Sequence, residues 1–183
     1  KPSRVARLVI LFESLPMPSS KGREYSECTA CEMFQFASIY GFYTANGVRL
    51  VTEALLFVPR KYGKTTMCAA LALDDALFGD YDAQAYISSN NFNQSQICFD
   101  MVKSIAKMLD AGPVSHFKVR RDSIDVRFKP SKNYPGRESL VRCLPYSPDK
   151  LDGLKASMGI YDEFAQADSA DQKNVIASSM GTR

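Results

Sequence analysis

Two short segments of this chain carry side chains able to work on a polyphosphate. The first is Pro59-Arg60-Lys61-Tyr62-Gly63-Lys64-Thr65-Thr66. Phosphate groups are densely negative, and a helix start offers unpaired backbone N–H groups together with a favourable dipole. Gly63 would let the backbone come close to the phosphates. Lys64 would place a point charge on the β- and γ-phosphates, and the Thr65 hydroxyl would ligate Mg²⁺. Arg60 and Lys61 add positive charge. A bare Gly-Lys-Thr triplet is a common polar helix start, and Val58 stands where the general phosphate-loop pattern has its first glycine. What favours phosphate binding is the setting, with an apolar run before the loop and helical spacing after it.

The second segment is Gly159-Ile160-Tyr161-Asp162-Glu163. A phosphate loop alone binds nucleotide. Hydrolysis also needs magnesium held from the other side and a group that orients the attacking water. Carboxylates at the carboxyl end of an apolar strand stand where ligands collect in open α/β sheets. Asp162 would hold magnesium through its water shell, and Glu163 would polarise the water. Taken alone, the pair also reads as an acidic helix N-cap. The hydrolytic reading requires the Lys64 ammonium and the 162–163 carboxyl groups to face one triphosphate.

Elements able to position these groups can be read from periodicity. Val5, Leu8, Val9 and Phe12 have helical spacing over residues 4–13, and the Pro-, Ser- and Gly-rich stretch 16–23 reads as a flexible connection. A second helix is expected over 31–43, stopping near Gly41, followed by a turn at Asn46-Gly47. The dense apolar run 50–58 predicts a strand buried on both faces of a parallel sheet. Helical spacing follows over 64–78 and ends at Gly79-Asp80. A strand over 83–88 and a helix over 93–109, closed by Gly112-Pro113, continue an alternation that predicts a doubly wound α/β sheet. Phe117–Val119, Ile124–Phe128 and Ser139–Leu144 read as a small antiparallel elaboration. An apolar segment over 156–161 leads into Asp162, and a closing helix is expected over 168–180.

Composition bounds the reading further. With 183 residues, 45% of them hydrophobic, the chain is long enough for one sizeable domain. No apolar stretch approaches the roughly 20 residues of a membrane helix, and no secretory cleavage pattern follows the short run Leu8–Phe12. The sequence therefore reads as soluble and intracellular. Five irregularly spaced cysteines point to reduced thiols, and Cys28-Thr-Ala-Cys31 has metal-ligand spacing without a second pair to complete a site. Net charge is only +3, yet Lys118, Arg120, Arg121, Arg127, Lys129 and Lys132 crowd one short region. They suit sequence-blind contact with nucleic-acid phosphates, or else a solvated face.

The run Glu53-Ala-Leu-Leu-Phe-Val-Pro-Arg-Lys-Tyr-Gly-Lys-Thr-Thr66 resembles the ATP-binding motif of tailed-bacteriophage terminase large subunits, in which the leading glycine is replaced and Arg-Lys precedes the Gly-Lys-Ser/Thr. Three other segments are similar in order and spacing. They are Phe34-Gln35 with Ile39-Tyr40-Gly41-Phe42, Ser88-Ser89 through Gln94, Gln96 and Phe99-Asp100, and Leu151-Asp152-Gly153-Leu154 with Ile160 to Phe164. The resemblance implies an adenine contact for Gln35. It also implies a P-loop ATPase of the ASCE type, with an N-terminal helical segment over 1–48 and an ATPase core over 49–183. Such an engine uses ATP and Mg²⁺ to drive double-stranded DNA into a procapsid. It works as a ring, commonly a pentamer, docked on the portal protein and served by a small terminase subunit in the host cytoplasm.

Two departures follow from the same comparison. The sequence stops at Gly181-Thr182-Arg183, before the family's coupling motif and nuclease domain, so nuclease activity is not expected of it. Asp152 stands where some relatives carry a trans-acting arginine. Arg60 in cis, or Arg137, Arg142 or Lys155 from a neighbouring subunit, would then have to supply the cation. Two other classes fit parts of the sequence: a helicase-like P-loop translocase, and a nucleotide-gated assembly module that binds without turnover. The absence of a second motor lobe weighs against the first, and Glu163 against the second.

Overall fold

A computed structural model of the chain describes residues 3–19, 22–25, 27–110, 116–133, 135–145, 153–167 and 169–180. The expected stop at Gly112-Pro113, the Leu151-Asp152 pair and Arg183 lie outside the described residues. The chain divides into two compact units, Lys1–Ala70 and Leu71–Arg183, and the division falls inside one helix.

In the first unit, helix α1 (Arg4–Glu13) starts at Ser3, whose hydroxyl accepts from the Ala6 N–H at 3.2 Å. Its Leu8, Leu11 and Phe12 are buried. Helix α2 (Ala30–Tyr40) begins with a reciprocal capping box, the Thr29 side chain accepting from the Glu32 N–H and Glu32 accepting from the Thr29 N–H. The two helices pack through Phe12 and Phe36, whose rings meet edge-on with centroids 5.8 Å apart. The guanidinium groups of Arg4 and Arg49 lie 4.3 and 5.1 Å from the centre of the Tyr40 ring, adding cation–π contacts at the end of α2.

Two expectations for this unit change. Where a flexible connection is expected, strands β1 (Pro16–Ser19) and β2 (Gly22–Tyr25) pair antiparallel. A two-stranded ribbon consists only of edge strands, which tolerate proline. The apolar run 50–58 is not a buried strand: among the described residues it has no ladder partner, and Leu55 and Phe57 are 78% and 94% exposed. Hydrophobicity marks a segment fit for burial, but burial also needs a neighbouring strand and covering layers, which no local pattern specifies.

Helix α3 (Lys64–Phe78) runs between the limits its spacing predicts. Met67, Ala69, Ala70, Ala72, Leu73 and Ala76 are all buried, the pattern of a helix enclosed on most sides.

The second unit is built on a five-stranded sheet of β3 (Gln84–Ser89), β4 (Phe117–Val119), β5 (Ser123–Phe128), β6 (Arg137–Cys143) and β7 (Met158–Asp162), in the order β4-β5-β6-β3-β7. β6, β3 and β7 run parallel, whereas β4, β5 and β6 are antiparallel. The antiparallel portion is therefore no separate insert: β6 belongs to both portions. Helix α4 (Phe92–Leu109) buries Cys98, Phe99, Val102, Ile105 and Ala106 along one stripe and contacts β3, β4 and β6. Helix α5 (Asp171–Met180) packs on β7, with Ile176 joining Tyr86, Leu144 and Ala156 in one apolar cluster. Gly159 permits that approach, because a Cβ there would come within 2.5 Å of the Ile176 methyl. No described helix is long and apolar enough to cross a membrane.

Candidate functional site

In the first unit the loop 59–63 forms a turn that delivers the chain into α3. Lys61 and Gly63 both have positive φ, 66° and 83°, a conformation that glycine adopts freely and lysine only at a cost. The Met67 N–H donates to the Gly63 carbonyl at 3.0 Å, so Gly63 directly precedes the first helical turn. Lys64, Thr65 and Thr66 occupy that turn, Lys64 and Thr65 half-buried and Thr66 buried. The first N–H groups of a helix have no partner within it, so this start can cradle an anion. Pro59, Arg60 and Lys61 are exposed on the approach, and Tyr62 is half-buried.

The first turn of α2 stands against this loop. The neighbouring Cys31 side chain, followed by burial and the negative charge of Glu32, pushes the Tyr62 phenol up to about 12. Gln35 Nε2 donates to Cys31 Sγ, at 3.9 Å. Glu32 Oε1 lies 3.7 Å from the position a Cβ would take on Gly63. Sequence reasoning singles out Gln35 and Tyr62, but not Cys31 and Glu32, which join them. The metal-ligand reading of Cys28 and Cys31 gains no support. Burial, then Glu32 and Glu13, raise the Cys28 thiol, which opposes the thiolate a metal would need.

In the second unit β3 and β7 run parallel, with Ser89 opposite Asp162 and Ser88 opposite Tyr161. This register brings the Ser88-Ser89-Asn90-Asn91 turn beside the two carboxylates at the carboxyl ends of the strands. Asp162 Oδ1 accepts from the Glu163 N–H at 3.0 Å, and Glu163 takes a left-handed conformation, φ 54° and ψ 40°. Gln166 Nε2 donates to Glu163 Oε2 at 3.3 Å, and Asn90 Nδ2 donates to the Gln166 carbonyl. Asn90 and Gln166 thus tie the end of β3 to the turn that presents Glu163. The signal for this pairing lies in the polar run at the end of β3, since parallel strands gather their carboxyl ends.

The remaining candidate cations have different surroundings. Arg137 is consumed at the end of α3. Its guanidinium donates to the carbonyls of Asp75, Ala76 and Asp80 at 3.2, 3.1 and 2.7 Å, and to Ser139 Oγ at 3.0 Å. That arrangement engages the guanidinium within its own unit. In the basic region, Lys118, Arg120, Arg121, Arg127, Lys129 and Lys132 are all exposed. Arg120 pairs with Asp125 at 2.8 Å and Arg127 with Glu138 at 2.6 Å, which offsets part of its charge.

The Thr65 hydroxyl in the first unit and the Asp162 carboxylate in the second are each the type of oxygen donor that a hard cation such as Mg²⁺ takes. Among the described residues no three His, Cys, Asp or Glu side chains cluster as a metal cage. Mg²⁺ commonly needs no such cage, taking one or two carboxylates with phosphate oxygens and water.

Residues 31–183 match the family described as the terminase large subunit, ATPase domain. Among curated proteins none matches the chain. Among solved structures, the large terminase of bacteriophage HK97 aligns with a TM-score of 0.73 at 17% identity, covering 100% of this chain and 36% of that one. The large terminase ATPase domain of a Thermus phage aligns at 0.54 with 19% identity, covering 81% of this chain and 64% of that one. A large terminase from a thermophilic bacteriophage, in complex with ADP, aligns at 0.50 with 14% identity, covering 66% and 28%. At these identities the structural likeness speaks for the fold. The chain spans about a third of the HK97 protein's length.

Proposed function

The chain belongs to the family of terminase large subunit ATPase domains, and from that premise we propose that it is the ATP-hydrolysing motor of a machine that packages viral DNA. The observation that carries this reading is the loop 59–63, turned by two positive-φ residues into a helix start that bears Lys64 and Thr65. Backbone N–H groups of that turn and the Lys64 ammonium would hold the β- and γ-phosphates, with Arg60 and Lys61 adding charge along the approach. Gln35 would contact adenine.

Thr65 and Asp162 would hold Mg²⁺, which when bound neutralises developing charge on the phosphates. Glu163 would accept a proton at its carboxylate from the attacking water, oriented by the amide of Gln166. The left-handed backbone at Glu163 supports this role, since strain of that kind collects at functional positions. In this proposal double-stranded DNA is the transported substrate, portal protein and small terminase subunit are the partners, and a homo-oligomeric ring in the host cytoplasm is the working form. Lys118, Arg121, Lys129 and Lys132 are the first candidates for DNA phosphates, since Arg120 and Arg127 already have carboxylate partners.

The test separates binding from chemistry. Lys64→Ala should abolish ATP binding, whereas Glu163→Gln should bind ATP normally and lose hydrolysis by about 100-fold or more. Wild-type turnover in Glu163→Gln would remove that residue from the mechanism.

A further inference from the structure

We propose that Asn90 is a positioning residue for hydrolysis: from the end of β3 it holds the turn that follows β7, and so sets the direction in which Glu163 presents its carboxylate. The inference rests on the reading of Glu163 as the group that accepts a proton from the attacking water. Its geometry lies entirely within the second unit.

Glu163 needs such a hold. A left-handed backbone is unfavourable for a glutamate and persists only where its surroundings enforce it. Two of the bonds that shape the turn are local, from the Glu163 N–H to Asp162 Oδ1 at 3.0 Å and from the Gln166 N–H to the Glu163 carbonyl at 2.9 Å. Neither fixes the turn against a neighbouring strand. Asn90 does, since its Nδ2 donates to the Gln166 carbonyl from a position 76 residues earlier in the chain. A carbonyl can only accept, so the amide must present its NH₂ group to Gln166.

The base on which Asn90 stands is itself held on both sides. β3 and β7 pair in parallel as far as Ser89 and Asp162, the residues just before Asn90 and Glu163. On the other side, the buried Ser89 hydroxyl donates to the Asn91 carbonyl and accepts from the Asn91 N–H at 3.4 Å. Asn91 in turn caps α4, accepting from the Asn93 N–H at 2.9 Å. Gln166 Nε2 donates to Glu163 Oε2 at 3.3 Å, so anchoring the Gln166 main chain places both the carboxylate and the amide that touches it.

Removing the Asn90 amide should let the turn drift and misplace the carboxylate without touching the nucleotide. Asn90→Ala should lower kcat for ATP about 10- to 100-fold while the ATP dissociation constant stays within about twofold. Asn90→Asp, of the same shape but without a donor when ionised, should lose as much. A double-mutant cycle shows the route of the effect. Added to Glu163→Gln, Asn90→Ala should lower the residual rate by less than about twofold, because the group it positions is already disabled. Hydrogen exchange of the chain without nucleotide gives a reading independent of turnover. The Gln166 and Ala167 amides should exchange several-fold faster in Asn90→Ala, while those of β3 keep their rates.

Wild-type kcat in Asn90→Ala, an equal loss with and without Glu163→Gln, or unchanged exchange at the turn would overturn the positioning role while leaving the Glu163 assignment intact. So would a failure of both Asn90 variants to fold, which would make the residue purely structural. Wild-type turnover in Glu163→Gln would instead remove the base on which the proposal depends.

Discussion

Gly63 and Glu163 both have a positive φ, for opposite reasons. At Gly63 the positive φ is inexpensive, and it lets the chain turn tightly into α3. Among the described residues an added Cβ would meet only Glu32 Oε1, in ordinary contact at 3.7 Å. Gly63→Ala should therefore cost about 1 kcal/mol through conformation rather than through crowding, measured by urea denaturation, and should weaken nucleotide binding more than stability. Glu163 bears that cost itself, as a non-glycine residue at φ 54°. Glu163→Gly should thus raise stability by about 0.5–1 kcal/mol while abolishing hydrolysis. A fall in stability would mean that local contacts outweigh the strain. The residue types at both positions are legible in the sequence. Their dihedral angles are not, because a Lys-Tyr-Gly or an Asp-Glu dipeptide is compatible with several turns.

At the level of elements, α3 is held at both ends by features of different legibility. Its start is marked by the Gly-Lys-Thr run and its stop by Gly79-Asp80, and both limits appear where expected. What anchors its last turn is Arg137, more than fifty residues away at the start of β6, which donates to carbonyls that a helix end leaves without internal partners. Arg137→Ala should cost about 2 kcal/mol, seen as a melting temperature lower by roughly 4–8 °C. Lysine should not restore it, because a single ammonium cannot reproduce the fork that serves Asp80 and Ala76 together. An alanine variant that melts with the wild type would return Arg137 to the candidates for a trans-acting cation. The Ser157 hydroxyl plays a similar part nearby, donating to Asp75 at 2.5 Å and accepting from the Gln84 N–H at 2.8 Å, which ties α3 to the start of β3. Periodicity locates α3, β3 and β6 separately, but nothing local indicates that a serine and an arginine join them.

For the molecule as a whole, the function proposed above is that of a motor that completes its chemistry in an assembly. In the proposed motor, with Arg137 engaged at α3, Arg142 and Lys155 would be the remaining candidates to act on a neighbour's nucleotide, and Arg60 would be the candidate in cis. ATP hydrolysis per mole of chain should then rise at least several-fold as concentration increases through the range where the chain self-associates, and should rise again with double-stranded DNA. A specific activity that stays flat across concentration, checked against mass measured by light scattering, would place the cation in cis. Any DNA stimulation should weaken steeply with added salt, since phosphate contacts release counterions.

The sequence by itself determined most of the local elements, the helices 4–13 and 64–78 and the alternation that marks an α/β sheet, and it singled out the Gly-Lys-Thr run and the Asp-Glu pair as candidates for phosphate chemistry. These are legible because charge, glycine placement and hydrophobic period act over a few residues. Only the tertiary structure decided that Ser89 lies beside Asp162, that Cys31 and Glu32 adjoin the loop at Tyr62 and Gly63, that Arg137 serves a helix end, and that β6 works in both the parallel and the antiparallel portions of the sheet. The run 50–58 marks the boundary between the two kinds of information. Its composition states a preference for burial, but pairing joins residues far apart in the chain, and its outcome depends on which strands stand next to one another.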